Sequence, residues 1–199
     1  MPRYKEEERE QVRSETRQRL LEAAAVEFAR HGYSKANIDD ISKTAGFAKG
    51  TVYNYFPSKS DLMLALIEEM AQVHLDFIAE HVYDEKAADR RLEKFFEAGF
   101  SYVSAYLTQG MVMINNLYGP HAEFKKAMYA AYQPMFELVS KDIIALGMEQ
   151  GVFRNVEPVS NAGLVMNIYL GIASQVNEDG KLWIESGPVA DFVAHALRI

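Results

Sequence analysis

The 199-residue chain contains no cysteine. That absence removes disulfides, thiolate nucleophiles and cysteine metal ligands together, and it fits a reducing compartment, so a cytoplasmic protein is expected. No apolar run is long enough to cross a bilayer, and residues 1–9 lack the apolar core of a secretory signal. The five histidines, His31, His74, His81, His121 and His195, include no two at metal-ligand spacing on one helix. His74 and His81 lie seven apart with Asp76 and Glu80 nearby, and they are the one metal alternative. A phosphate-cradling glycine loop and a nucleophile elbow are both missing. No catalytic residue, metal or cofactor is assigned, and an enzyme is not expected. Alternating strand patterns are missing too, so an all-α chain of about nine helices is predicted.

Basic charge is also in short supply, with a formal net charge of −7. The deficit is uneven. Residues 1–60 hold 11 Lys or Arg against 9 Asp or Glu, and residues 61–199 hold 10 against 19. Fields are screened over about 8 Å at physiological salt, so an acidic remainder does not prevent a basic N-terminal face from docking on an anion.

What is present concentrates between Asn37 and Lys59. Asn37 is positioned to cap a helix through the N–H of Asp40. Ile38, Ile41 and Ala45 follow at helical spacing, and Gly46 supplies the positive φ of a sharp turn. A second short helix then carries Phe47 and Val52 as apolar anchors. Around them stand Lys49, Gly50, Thr51, Tyr53, Asn54 and Tyr55, with Pro57 as a stop. Two short helices around a glycine corner, the second rich in donors, form a helix-turn-helix layout. Gly50 within a helix costs roughly 1 kcal/mol against alanine, which close approach by another surface would explain. Lys49, Tyr53, Tyr55 and Lys59 suit phosphate oxygens, and Thr51 and Asn54 suit base edges. A solvated helix with ordinary tyrosine anchors is the competing reading.

Residues 17–62 resemble the DNA-binding domain of the tetracycline-repressor (TetR) family of transcription regulators. The resemblance runs through Leu20-Leu21-Glu22-Ala23-Ala24, Phe28-Ala29, Gly32-Tyr33, Ile38-Asp39-Asp40-Ile41 and Ala45-Gly46. It continues through Lys49-Gly50-Thr51-Val52-Tyr53, Tyr55-Phe56-Pro57-Ser58-Lys59 and Asp61-Leu62. Ala48 departs from it, since the family often has serine there, and a helix cap is lost. The resemblance implies an N-terminal three-helix helix-turn-helix domain, residues 10–60, and a helical effector-binding and dimerisation domain, residues 61–199. Asn37, Lys49, Gly50, Thr51, Tyr53, Asn54, Tyr55 and Lys59 are the expected DNA-binding residues.

Residues 3–19 mix Arg3, Lys5, Arg9, Arg13, Arg17 and Arg19 with five glutamates. They read either as a frayed tail or as an arm reaching the minor groove. From Leu20 an apolar stripe predicts a helix ending at Gly32. Ser58 and Asp61 predict the start of another, running to about Val82. Further helices are predicted over about 87–107, 111–117, 121–148, 158–176 and from Gly187-Pro188 to about Leu197, with Pro134 kinking or dividing the one over 121–148.

Tyr102, Tyr106, Met113, Asn116, Met128, Tyr132, Met135, Met166 and Tyr169 give the second half a soft, polar-flecked interior, with Met111 and Tyr118 beside them. Such walls suit a cavity for a mostly apolar ligand, and a filled core with tyrosines at its rim is the alternative. Ala162, Gly163, Gly171 and Ser174 let helices approach closely, so a four-helix dimer seam is expected there, against tight packing within one subunit. The resemblance implies a ligand-responsive regulator, most often a repressor, that binds a palindromic double-stranded operator as a homodimer. Its recognition helices would sit about 34–36 Å apart, and a small-molecule effector would release them. A helical binding protein or enzyme that has lost operator binding is the alternative.

Overall fold

The computed structural model describes residues 4–175 and 181–198, and their regular structure is helical. Helix α1 (Tyr4–Lys35) is broken at Gly32, whose φ is 68°. Residues 4–19 continue it rather than forming a frayed tail. Side-chain pairs one turn apart, Gln11 with Glu15 and Gln18 with Glu22, brace this stretch. Arg3 lies outside the described residues.

Helices α2 (Ile38–Ala45) and α3 (Lys49–Tyr55) follow, then α4 (Lys59–Tyr83). Ser58 caps α4 by accepting the Asp61 N–H at 3.1 Å while its hydroxyl donates to the Asp61 carboxylate at 2.7 Å. Ala88–Ala105 forms α5 and Leu107–Leu117 forms α6.

The predicted helix over 121–148 is in four pieces. These are α7 (Ala122–Ala131), α8 (Gln133–Glu137), a π-helical segment (Leu138–Ala145) and α9 (Leu146–Glu149). The break falls at Tyr132, and Pro134 sits in the first turn of α8, where its missing N–H leaves nothing unsatisfied. Pro158–Ala173 forms α10 and Ser186–Leu197 forms α11. Val176, the predicted end of α10, lies outside the described residues. Phe153 and Arg198 make an isolated antiparallel bridge that ties the α9–α10 turn to the end of α11.

Two hydrophobic cores result. One gathers Ile78, Phe95, Phe96, Val139, Ile143, Tyr169 and Val193 from α4, α5, the π segment, α10 and α11. The other joins Leu20, Phe28, Ile41 and Val52 to Leu62, Met63 and Ile67 of α4, and then to Val112, Met113, Phe124 and Met128 of α6 and α7. The N-terminal helices are thus packed against α6 and α7 as well as α4. At that junction Tyr33 meets Phe124 edge-on at 4.5 Å and His121 at 4.9 Å, and Ser34 Oγ lies 3.1 Å from His121 Nε2.

Candidate nucleic-acid interface and interior pocket

The corner between α2 and α3 is built as its residues dictate. Gly46 adopts φ 76°, its N–H donates to Lys43 O, and Phe47 N–H reaches back to Ser42 O at 2.9 Å, closing α2. Arg19 fixes the corner from α1. Its Nη2 donates to Ala45 O at 2.8 Å, and its guanidinium lies over the Phe47 ring. Arg17 likewise pairs with Glu69 at 3.0 Å. These two arginines brace the fold and are not free for a groove-reaching arm, while Arg9 and Arg13 remain exposed on the helical extension.

Asn37 caps α2 through the N–H of Asp39 at 3.0 Å, one residue nearer than expected, because Asp40 and Ile41 donate to the Asn37 backbone oxygen. Ala48 leaves α3 without a side-chain cap. Val52 is buried and turns the rest of α3 outward: Lys49, Gly50, Tyr53 and Asn54 are exposed, and Thr51 and Tyr55 are partly so.

Two lysines have internal partners. Lys49 pairs with Asp39 of α2 at 2.9 Å, and this hydrogen bond and charge hold its pKa above the ordinary lysine value. Lys59 donates to Ser34 O at 3.2 Å and Ala36 O at 3.0 Å and lies over the Tyr33 ring, so it ties α4 to the end of α1. Its fixed structural role was invisible in the sequence. A methyl group added at Gly50 would meet nothing within 4 Å. Packing within the chain therefore gives no reason for a glycine there.

The interior is organised around His74, which sequence reasoning considered only as a metal alternative. Its imidazole is 1% exposed. Nε2 lies 2.9 Å from the Tyr169 hydroxyl, Nδ1 lies 3.3 Å from the Tyr132 hydroxyl, and the Tyr102 ring stacks on it at 4.1 Å. Burial lowers its pKa to about 3, so the ring is neutral. Burial also pushes Tyr102 up to about 12 and raises Tyr132 and Tyr169. Tyr169 donates to Gly99 O at 3.2 Å, and a Cβ at Gly99 would collide with its ring. His81 is exposed and bonds instead with the Phe77 backbone oxygen. Among the described residues no three His, Asp or Glu side chains gather in a metal-holding group.

Three cavities meet this cluster. A cleft of about 430 Å³ has Tyr118, Lys125, Tyr129, Tyr132, Met166 and Asn167 in its walls. A void of about 10 Å³ is bounded by Met70, His74, Tyr102, Tyr106, Met113 and Tyr132. A groove of about 260 Å³ runs from Tyr102 and Tyr106 to Leu21, Ala25 and Leu66 of the N-terminal half. Of the expected pocket residues, Tyr102, Tyr106, Met113, Tyr132 and Met166 border these spaces. Asn116, Met128, Met135 and Tyr169 do not, because their side chains are packed: Asn116 donates to Val112 O, and Met128 and Met135 are buried in the two cores.

The seam residues divide as well. Ala162 is 0% exposed, on the inward face with Val165, Met166, Tyr169 and Ala173, so it cannot meet a second subunit. Gly163 borders the large cleft, and Ser174 folds back onto Gly171 O. The outward apolar face of α10 and α11 carries exposed Val159, Leu164 and Phe192, and Leu164, half-buried Ile168 and Phe192 line a groove of about 420 Å³.

Residues 20–66 match the family described as bacterial regulatory proteins, tetR family. The HTH-type transcriptional activator FasR of Mycolicibacterium smegmatis is 30% identical over 135 residues, 65% of this chain and 61% of that protein. The chain spans 33–61% of the length of several curated relatives it matches. Two solved structures share the fold over nearly their whole length. FadR from Bacillus subtilis in complex with stearoyl-CoA has a TM-score of 0.79 at 18% identity, covering 91% of this chain and 97% of that one. AibR in complex with isovaleryl coenzyme A and operator DNA has a TM-score of 0.72 at 18% identity, covering 92% and 98%. Residues 20–66 thus carry the helix-turn-helix domain of the tetR family of bacterial regulatory proteins, and the helical second half has the fold of these two structures.

Proposed function

We propose that the chain is a ligand-responsive transcriptional regulator, a repressor that binds a palindromic operator as a homodimer in the cytoplasm and acts without catalysis. Residues 10–60 would carry DNA recognition, and residues 61–199 effector binding and dimerisation. The observation that carries this reading is α3: Gly50 faces open space beside exposed Lys49, Tyr53 and Asn54, with Thr51 alongside. A glycine that no neighbour requires suits a helix pressed against a surface outside the chain. Asn37 and Tyr55 flank that face, and Lys49 would exchange Asp39 for a phosphate oxygen on binding.

The dimer would form through the outward face of α10 and α11, with Gly171 beside it. The effector would enter the cleft at Tyr132 and Met166. Acyl-CoA thioesters are the proposed class, supported by the ligands of the two fold neighbours and by a lining that is apolar around a few polar donors and Lys125. To empty an occupied operator the ligand must favour the released state by several kcal/mol.

The test is a gel shift on the intergenic DNA upstream of the gene. The Thr51→Ala, Tyr53→Ala double variant should lose the retarded band at moderate salt while melting like the parent protein. Retention of the band by that variant would remove α3 from the interface.

A further inference from the structure

Ten Å³ of space beside a buried histidine, walled by three phenols, is an unusual way to end two much larger cavities. Tyr132 is the wall between the 430 Å³ cleft and the inner void, and Tyr102, Tyr106 and Met70 separate that void from the 260 Å³ groove. Among the described residues no charged side chain borders the void. We propose that His74 and Tyr132 form a carbonyl-reading site, in which the ester or thioester C=O of an acyl ligand accepts the Tyr132 hydroxyl and the acyl chain continues past Tyr102 toward α1. This rests on the effector reading above and names the group that reading leaves unspecified.

The hydrogen-bond inventory allows it without orphaning any atom. Tyr169 has one hydroxyl proton and donates it to Gly99 O, so it accepts from His74 Nε2–H. His74 Nδ1 then carries a lone pair, which accepts the Tyr132 O–H over a long 3.3 Å. If Tyr132 turns its proton to a ligand carbonyl, the imidazole needs the other tautomer. Tyr169 O–H donates to Nε2, Nδ1–H donates to the Tyr132 oxygen, and Tyr132 O–H donates to the carbonyl. Each phenol and the ring keep one proton and one acceptor, and no charge is created. Gly99 O gives up only a second, long bond. A carboxylate at the same place would be an uncompensated buried anion.

The backbone supports the motion required. Tyr132 sits on the break between α7 and α8 with φ −92° and ψ 2°, followed at Leu138 by the π segment. Its side chain is only partly buried, unlike that of Tyr169. The polar end of the ligand would stay in the cleft near Lys125, Gln133 and Asn167. The far end would lie against Leu21, Ala25 and Leu66, with Gln18, Glu22 and Glu69 also lining that groove.

The experiment uses the full chain and two probes that differ only at the carbonyl, palmitoyl-CoA and its thioether analogue S-hexadecyl-CoA, titrated by calorimetry. The parent protein should bind the thioester about tenfold more tightly. Tyr132→Phe keeps the ring and removes the hydroxyl, and it should make the two affinities equal within about twofold. His74→Phe should do the same if it folds, and the Tyr132 variant decides the matter if it does not. Equal binding of both probes by the parent protein would overturn the carbonyl site while leaving the effector reading intact. An undiminished thioester preference in Tyr132→Phe would do the same. Binding of neither probe would overturn both.

Discussion

His74 sits buried at the centre of the interior and Gly50 on the open face of α3, and they were unequally visible. Gly50 stands out in sequence as a glycine in a short polar helix, and the open space around it removes the intramolecular explanation. Gly50→Ala should therefore stabilise the fold by a few tenths to about 1 kcal/mol, read from urea melts, while weakening operator binding roughly tenfold. A parallel change, with both improved or both unchanged, would show that the glycine is not there for DNA. His74 gave a fainter signal, a polar residue between Met70, Val73 and Phe77 on an apolar stripe, and its partners come from α5, the α7–α8 break and α10. Periodicity places a residue on a face and says nothing of what lies opposite. Its titration has a definite sign. The folded pKa of about 3 lies below the ordinary histidine value of 6.5, so between those values the unfolded chain binds the extra proton. This contribution to stability is complete above about pH 6.5 and is lost as pH falls toward 3, by up to about 1.4 kcal/mol per pH unit. Urea melts from pH 6.5 to 4.5 should show a shallower loss in His74→Phe than in the parent, by about one proton. An unchanged slope would mean the ring is solvated.

Elements that end on local chemistry were legible, and elements that end on tertiary packing were not. Asn37, Gly46 and Ser58 mark the limits of α2 and the start of α4 because caps and positive-φ turns are short-range devices. Ser58→Ala should cost about 1 kcal/mol, and Ser58→Asp should keep most of it, read as midpoint shifts in a denaturant series. Gly46→Ala should cost more than about 1 kcal/mol. Its φ of 76° disfavours a side chain, and the new methyl would stand 3.0 Å from the Arg19 guanidinium that holds the corner. No such marker announced that residues 4–19 are helical, or that the stretch 121–148 would break at Tyr132 instead of at Pro134. The proline was read as kinking or dividing one helix, and it divides the stretch by opening the next helix. Both outcomes depend on neighbours that local rules do not see.

For the whole molecule, an all-α chain with an N-terminal helix-turn-helix was readable from patterning and from the resemblance. The expectation of a small-residue seam misled at Ala162, because small residues serve close packing inside a subunit as readily as between subunits. Large apolar side chains left outside are the better marker of a partner, here Leu164 at 63% and Phe192 at 68% exposure. Leu164→Glu with Phe192→Glu should convert a dimer to a folded monomer by light scattering and abolish operator binding, since one half-site alone binds weakly. A monomeric parent protein would contradict the proposed assembly. The chain's acidic remainder makes the account more demanding, because binding must come from a local face and not from net charge.

The central claim is that α3 grips a duplex under the control of the interior. Footprinting on the DNA upstream of the gene, with and without palmitoyl-CoA, tests it most directly. The account predicts protection of a palindrome whose half-sites lie about one helical turn apart, lost when the thioester is added. Protection of no site, or a footprint indifferent to every acyl-CoA tried, would contradict it.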